Sequence, residues 1–122
     1  MPKHSNSQFG EVFSRLRAIL KPYARRMEVA KDSATEYTLE VAGPDERPIW
    51  FACVRTMKNY VSFHLMPIYM NATLQAAISA ELKKRMQGKA CFNFAKVDSD
   101  LFEELKALTK TGAECFARLG YL

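Results

Sequence analysis

Hydrophobic and polar positions change their period twice along this chain. From Phe9, the apolar residues Val12, Phe13, Leu16, Ile19, Leu20, Tyr23 and Met27 recur at helical spacing. They predict an amphipathic helix that Ser5 or Ser7 would cap. Pro22 interrupts the stripe. Proline lacks an N–H and biases Lys21 away from helical angles, so a kink or a break and restart is expected there. The period then drops to two. Tyr37 to Ala42 reads as a strand, Ile49 to Met57 as a second with Pro48 at its entrance, and Tyr60 to Leu65 as a third. Gly43-Pro44-Asp45 and Lys58-Asn59 supply the turns of an antiparallel meander.

After Met66-Pro67 the pattern becomes helical again. Asn71 can cap a short helix, ATLQAAI, and Ser79 another, AELKKRM, which Gly88 would end in the left-handed conformation. Cys91 to Phe94 alternates as a fourth strand. Asp98 or Asp100 then caps a last helix carrying Leu101, Leu105, Leu108, Cys115 or Phe116, and Leu119. Gly112 lies in phase with Leu108, marking either a break or a close helix–sheet contact. The order α-β-β-β-α-α-β-α predicts a single α+β domain over residues 1–122. It is a two-layer sandwich in which an antiparallel sheet of about four strands packs on the N- and C-terminal helices.

The second hairpin assigns faces. With Lys58-Asn59 as the turn, Cys53 pairs with His64, Arg55 with Ser62 and Met57 with Tyr60, and paired residues share a face. The opposite face is Trp50, Ala52, Val54, Val61, Phe63 and Leu65, with Thr56. It is nearly all apolar and is expected against the helices. The polar face offers a fixed charge, a hydroxyl and a titratable donor. This makes Arg55, Tyr60, Ser62 and His64 candidates for an anion or small-ligand site. The same face also reads as bare, or as covered by a loop or a second copy. A Cys53–His64 thiolate nucleophile lacks an evident third residue to orient it. Zinc would need more soft ligands than one internal histidine and scattered cysteines provide.

Charge adds one asymmetry. The net charge of +5 resides in residues 1–31, which carry seven Lys or Arg against two Glu, while the rest of the chain balances. Arg17, Lys21 and Arg25 fall four apart there. They read as a solvated helix face or as a contact for nucleic acid or another acidic partner. Asp98, Asp100, Glu103 and Glu104 read as first-turn carboxylates suited to the helix dipole, or as a weak hard-cation site. Phe92 and Phe94, near Lys89 and Lys96, read as core residues or as a base-stacking pair, so nucleic acid is not a principal expectation. The chain has no C-x-x-C, phosphate-binding glycine loop or G-x-S-x-G elbow. Three distant cysteines, no apolar run and no signal-peptide stretch in MPKHSNSQFG predict a cytoplasmic protein without a membrane span. An edge strand or an apolar sheet patch could support a homodimer.

Three phrases, YVSFHLMPIYM (60–70), LKKRMQGKACFNF (82–94) and LFEELKALTKTG (101–112), occur in this order. Together they resemble the YdhG-like family of small bacterial proteins, from about Phe9 to Gly112. The resemblance implies a small α/β sandwich. One branch of that family is likened to frataxin, which implies an iron chaperone for iron–sulfur or haem assembly. Frataxin's acidic ridge lies on its first helix, whereas the first helix here is basic, so no metal ligand carries over. These readings lead to a non-enzymatic ligand- or partner-binding domain that needs no cofactor. Iron handling and an acidic-partner contact are the alternatives.

Overall fold

The computed structural model describes residues 3–43 and 45–122, with side chains from Gln8 onward. Helix α1 (Lys3–Leu20) buries Phe9, Val12, Phe13, Leu16, Ile19 and Leu20. It begins upstream of Ser5 and Ser7, so neither serine is its cap; their side chains lie outside the described residues. At Pro22 the chain tightens into a 3₁₀ helix, Lys21–Arg26, which is the expected break and restart.

The strands are β1 (Glu28–Asp32), β2 (Glu36–Ala42), β3 (Pro48–Thr56), β4 (Val61–Leu65), β5 (Met86–Gln87) and β6 (Cys91–Phe94). They form one antiparallel sheet in the order β1-β2-β3-β4-β6-β5. Short helices α2 (Met66–Met70), α3 (Ala72–Ala77) and α4 (Ala80–Lys83) follow β4, and α5 (Ser99–Arg118) ends the fold. Helix α1 packs on β3, β4 and α5, which makes the helical layer. The sheet presents Leu39, Val54, Val61, Phe63, Leu65 and Phe92 to it, all buried. Each fully buried aliphatic or aromatic side chain contributes about 1.5–3 kcal/mol.

Three expectations about the strands are corrected. The sheet has six strands rather than about four. β1 is exposed at every position and carries no alternation, because it is an edge strand. Its charges Glu28, Lys31 and Asp32 and a bulge between Val29 and Lys31 also discourage edge-to-edge pairing. β5 takes Met86, the last residue of AELKKRM, together with Gln87, although AELKKRM favours a helix. The helix stops at Lys83, and pairing of Met86 with Phe92 overrides propensity. Gly88 does adopt a left-handed φ of 76°, but in the β5–β6 turn rather than after a helix.

The third correction concerns Trp50. β2 pairs Leu39 with Ala52 but Glu40 with Trp50, so Phe51 is an extra residue in β3. A bulge shifts the alternation by one. Phe51 is fully buried and meets Phe116 at 5.6 Å between ring centroids, on the helical side. Trp50 is thereby moved to the opposite face, half-buried.

Elsewhere the caps fall where residue chemistry places them. Asn71 Oδ1 accepts from the N–H of Thr73 and Leu74, Ser79 Oγ from Leu82, and Asp98 Oδ1 from Leu101. α5 runs unbroken through Gly112. A Cβ there would lie 3.0 Å from two ring carbons of Pro67, so glycine permits α5 to approach α2 just beyond the sheet. Leu119, assigned to the buried stripe, lies past the end of α5 and is 55% exposed. Pro44, in the first turn, lies outside the described residues. Its neighbours close the turn by Gly43 N–H donating to the Arg47 carbonyl at 2.9 Å.

Candidate functional site on the polar face of the sheet

The anticipated β3–β4 register holds: Cys53 opposes His64 and Arg55 opposes Ser62. The neighbouring strands extend these pairs into two rows. One runs Glu36–Arg55–Ser62–Asn93 and the other Thr38–Cys53–His64–Cys91, each across β2, β3, β4 and β6. Both lie on the face away from the helices.

The first row is polar and partly exposed. Arg55 Nε sits 3.8 Å from Glu36 Oε1, with half of the arginine side chain in solvent. Such a pair contributes little to stability, so the guanidinium retains donors for another acceptor. Asn93 Nδ2 donates to Gln87 Oε1 at 2.8 Å, which orders the row's far end. Tyr60 stands apart. It lies half-buried in the hairpin turn, where its carbonyl accepts from Met57 N–H at 2.8 Å.

The second row is drier. Thr38 and Cys53 are buried, and Thr38 Oγ1 lies 3.0 Å from Glu36 Oε2 and 3.1 Å from Cys53 Sγ. One hydroxyl carries one proton. The carboxylate is the stronger acceptor, so the hydroxyl donates to Glu36 and accepts from the Cys53 thiol. His64 Nδ1 lies 3.0 Å from Cys91 Sγ. The cysteine in contact with His64 through a side-chain hydrogen bond is thus Cys91, whereas Cys53 bonds to Thr38.

The charge state of the His64–Cys91 pair decides what it can do. Burial pushes the Cys91 thiol above its ordinary value, with Ser62 and Arg55 pulling the other way. Burial also lowers His64 and raises Cys53. Both shifts at the pair favour neutral forms, thiol and imidazole, over thiolate and imidazolium. We assign the neutral thiol as donor to Nδ1, which places the imidazole proton on Nε2. That Nε2–H is buried and has no hydrogen-bond partner among the described residues. Trp50 lies beside it, with ring centroids 5.4 Å apart and planes at 78°. An orphaned buried donor costs about 1–3 kcal/mol.

Cys91, Asn93, Thr38, Glu36 and Trp50 were not among the candidates read from the sequence. The alternation of Phe92 and Phe94 carried a signal for Cys91 and Asn93. Their placement beside His64 and Ser62 required the β4–β6 pairing, which joins segments separated by three helices.

The remaining candidates disperse. Arg17 lies over the Phe13 ring at 5.5 Å, and Lys21 is exposed. Arg25 belongs to the 3₁₀ helix, so it departs from the α-helical face that spacing suggested. It lines a cavity of about 480 Å³ with Arg26, Glu28, Glu40 and Glu46. Among the carboxylates, Asp98 caps α5 and shares a groove with Asp100, Lys84 and Arg85. Glu103 lines a different groove. Glu104 accepts from Ser79 N–H at 2.8 Å and from its hydroxyl at 2.6 Å, tying α5 to α4. Among the described residues, no three His, Cys, Asp or Glu side chains are arranged to hold a metal ion. No helix of the described chain is long and apolar enough to cross a membrane.

Comparison with protein-family models, with curated proteins and with solved structures found no match.

Proposed function

We propose that this chain is a non-enzymatic binding domain. Its ligand is a small molecule carrying a carboxylate or similar acceptor group, laid across Arg55, Ser62 and Asn93 with His64 alongside. The observation that carries this reading is the buried, unpartnered Nε2 of His64, beside Trp50 and next to that row. A buried donor without an acceptor is a standing cost that an incoming oxygen removes once Trp50 swings aside. Arg55 supplies the charge and Ser62 a hydroxyl, and both are partly exposed. The neutral Cys91–His64 pair supports a binding role over nucleophilic catalysis, because the thiolate is the reactive form.

Membership of the YdhG-like family and residence in the cytoplasm belong to the same proposal. The first rests on the three sequence phrases. The second is supported by three cysteines that form no disulfide with one another.

Trp50 is the only tryptophan, so its emission reports on this face. Titration with acetate and benzoate should change Trp50 emission and saturate in the wild type. Arg55→Ala and His64→Ala should keep the fold and lose the response. Failure of both anions to bind at millimolar concentration would remove the reading, as would loss of several kcal/mol of stability in either variant.

A further inference from the structure

A second candidate site lies on the opposite side of the molecule, in the helical layer. A groove of about 430 Å³ runs between the C-terminal end of α1 with its 3₁₀ extension and the N-terminal half of α5. Its volume falls within the range of small-molecule sites. The apolar part is formed by Ile19, Tyr23 and Phe102. Ile19 and Phe102 are 9% and 6% exposed, and Phe102 is wedged edge-on against Phe94 at 4.9 Å. The floor is therefore held by the core. Pro22, which fixes the backbone of the 3₁₀ helix, stiffens one wall.

The rim is charged asymmetrically. Arg15 and Lys106 line it against one carboxylate, Glu103. Arg15 Nη2 donates to Ser99 Oγ at 2.9 Å, which draws the guanidinium and the hydroxyl together across the α1–α5 junction. Its other contact, to Glu11 at 3.7 Å, is between two exposed side chains and is readily exchanged. Apolar floor and cationic rim meet in one preformed groove.

We propose that this groove binds a small amphipathic carboxylate. The hydrocarbon lies on Ile19, Tyr23 and Phe102, and the carboxylate is held by Arg15, Lys106 and the Ser99 hydroxyl. The site is separate from the polar sheet face, and its occupancy does not require that face.

Octanoate and octanol separate the two contributions. In NMR titrations of the full chain, octanoate should shift resonances of Tyr23, Phe102 and Ser99, and should do so equally in the Arg55→Ala variant, whose sheet face no longer responds. Octanol should bind at least about fivefold more weakly, because it lacks the charge read by Arg15 and Lys106. The double substitution Arg15→Gln and Lys106→Gln should bring octanoate affinity down to that of octanol. Equal binding of both probes to the wild type overturns the proposal without recourse to any variant. Shifts confined to other surfaces, or unchanged octanoate affinity in the double variant, also overturn it. Acetate or benzoate acting on Trp50 bears only on the sheet face, so the two proposals fail separately.

Discussion

The two faces of β3 and β4 are built from neighbouring residues in the same ten-odd positions, yet they behave as different materials. On one face Val54, Val61, Phe63 and Leu65 are fully buried against α1 and α5. On the other, Arg55, Ser62 and His64 stay partly open. The first face stabilises by area removed from water, which is insensitive to the identity of each partner. The second depends on pairwise chemistry: Thr38 with Cys53, Cys91 with His64, Glu36 with Arg55. Adjacent residues can therefore differ in cost of removal by several kcal/mol while sharing one backbone.

The most severe way to test that contrast is Phe63→Ala. It empties a fully buried site and should cost about 3–5 kcal/mol, read as a lower urea midpoint with little change in slope. Its neighbour His64→Ala removes one weak thiol–imidazole bond and one aromatic contact, and also relieves an orphaned donor. A loss of about 1 kcal/mol is expected. Equal losses at Phe63 and His64 would erase the distinction between the faces.

Titration sharpens the comparison further, since His64, Cys53 and Cys91 all lie on the polar face. Burial holds the folded-state pKa of His64 below its ordinary 6.5. As pH falls, the unfolded chain takes up this proton first. The contribution of His64 is thus intact above 6.5 and is lost as pH drops through the lower folded value. His64→Gln should flatten the decline of unfolding free energy with acid below 6.5. Cys53 and Cys91 have the opposite sign. Both are raised from 9.0 by burial, so their contribution is intact below 9.0 and is lost as pH rises through the higher folded values. The Cys91→Ala variant should weaken the alkaline decline in the same unfolding series.

The smallest effect is expected at Arg55→Ala. A partly exposed ion pair 3.8 Å long contributes less than about 1 kcal/mol, so thermal denaturation should be little changed even as ligand response is lost. A large fall in melting temperature would make Arg55 a structural residue and turn the polar face into a second core.

Local chemistry accounts for much of what was legible. The stripe of Phe9 to Leu20, the break at Pro22, the Asn71, Ser79 and Asp98 caps and the Cys53–His64 register follow from residue types at short spacing. Each rests on an interaction between residues close in the chain. β1 escaped because an exposed edge strand needs no alternation. β5 escaped because AELKKRM reads as helix until β6 competes for Met86 and Gln87.

What the sequence determined by itself was therefore the periodicity, the punctuation and one hairpin, which together set the α+β class and the polarity of the β4 face. Only the tertiary structure decided what surrounds His64. A single bulge at Phe51 carries Trp50 over to it, and pairing of β4 with β6 brings Cys91 to its ring nitrogen. A bulge inverts faces without changing composition, and strand pairing across three helices depends on packing of the whole sheet. Neither leaves a mark in local pattern.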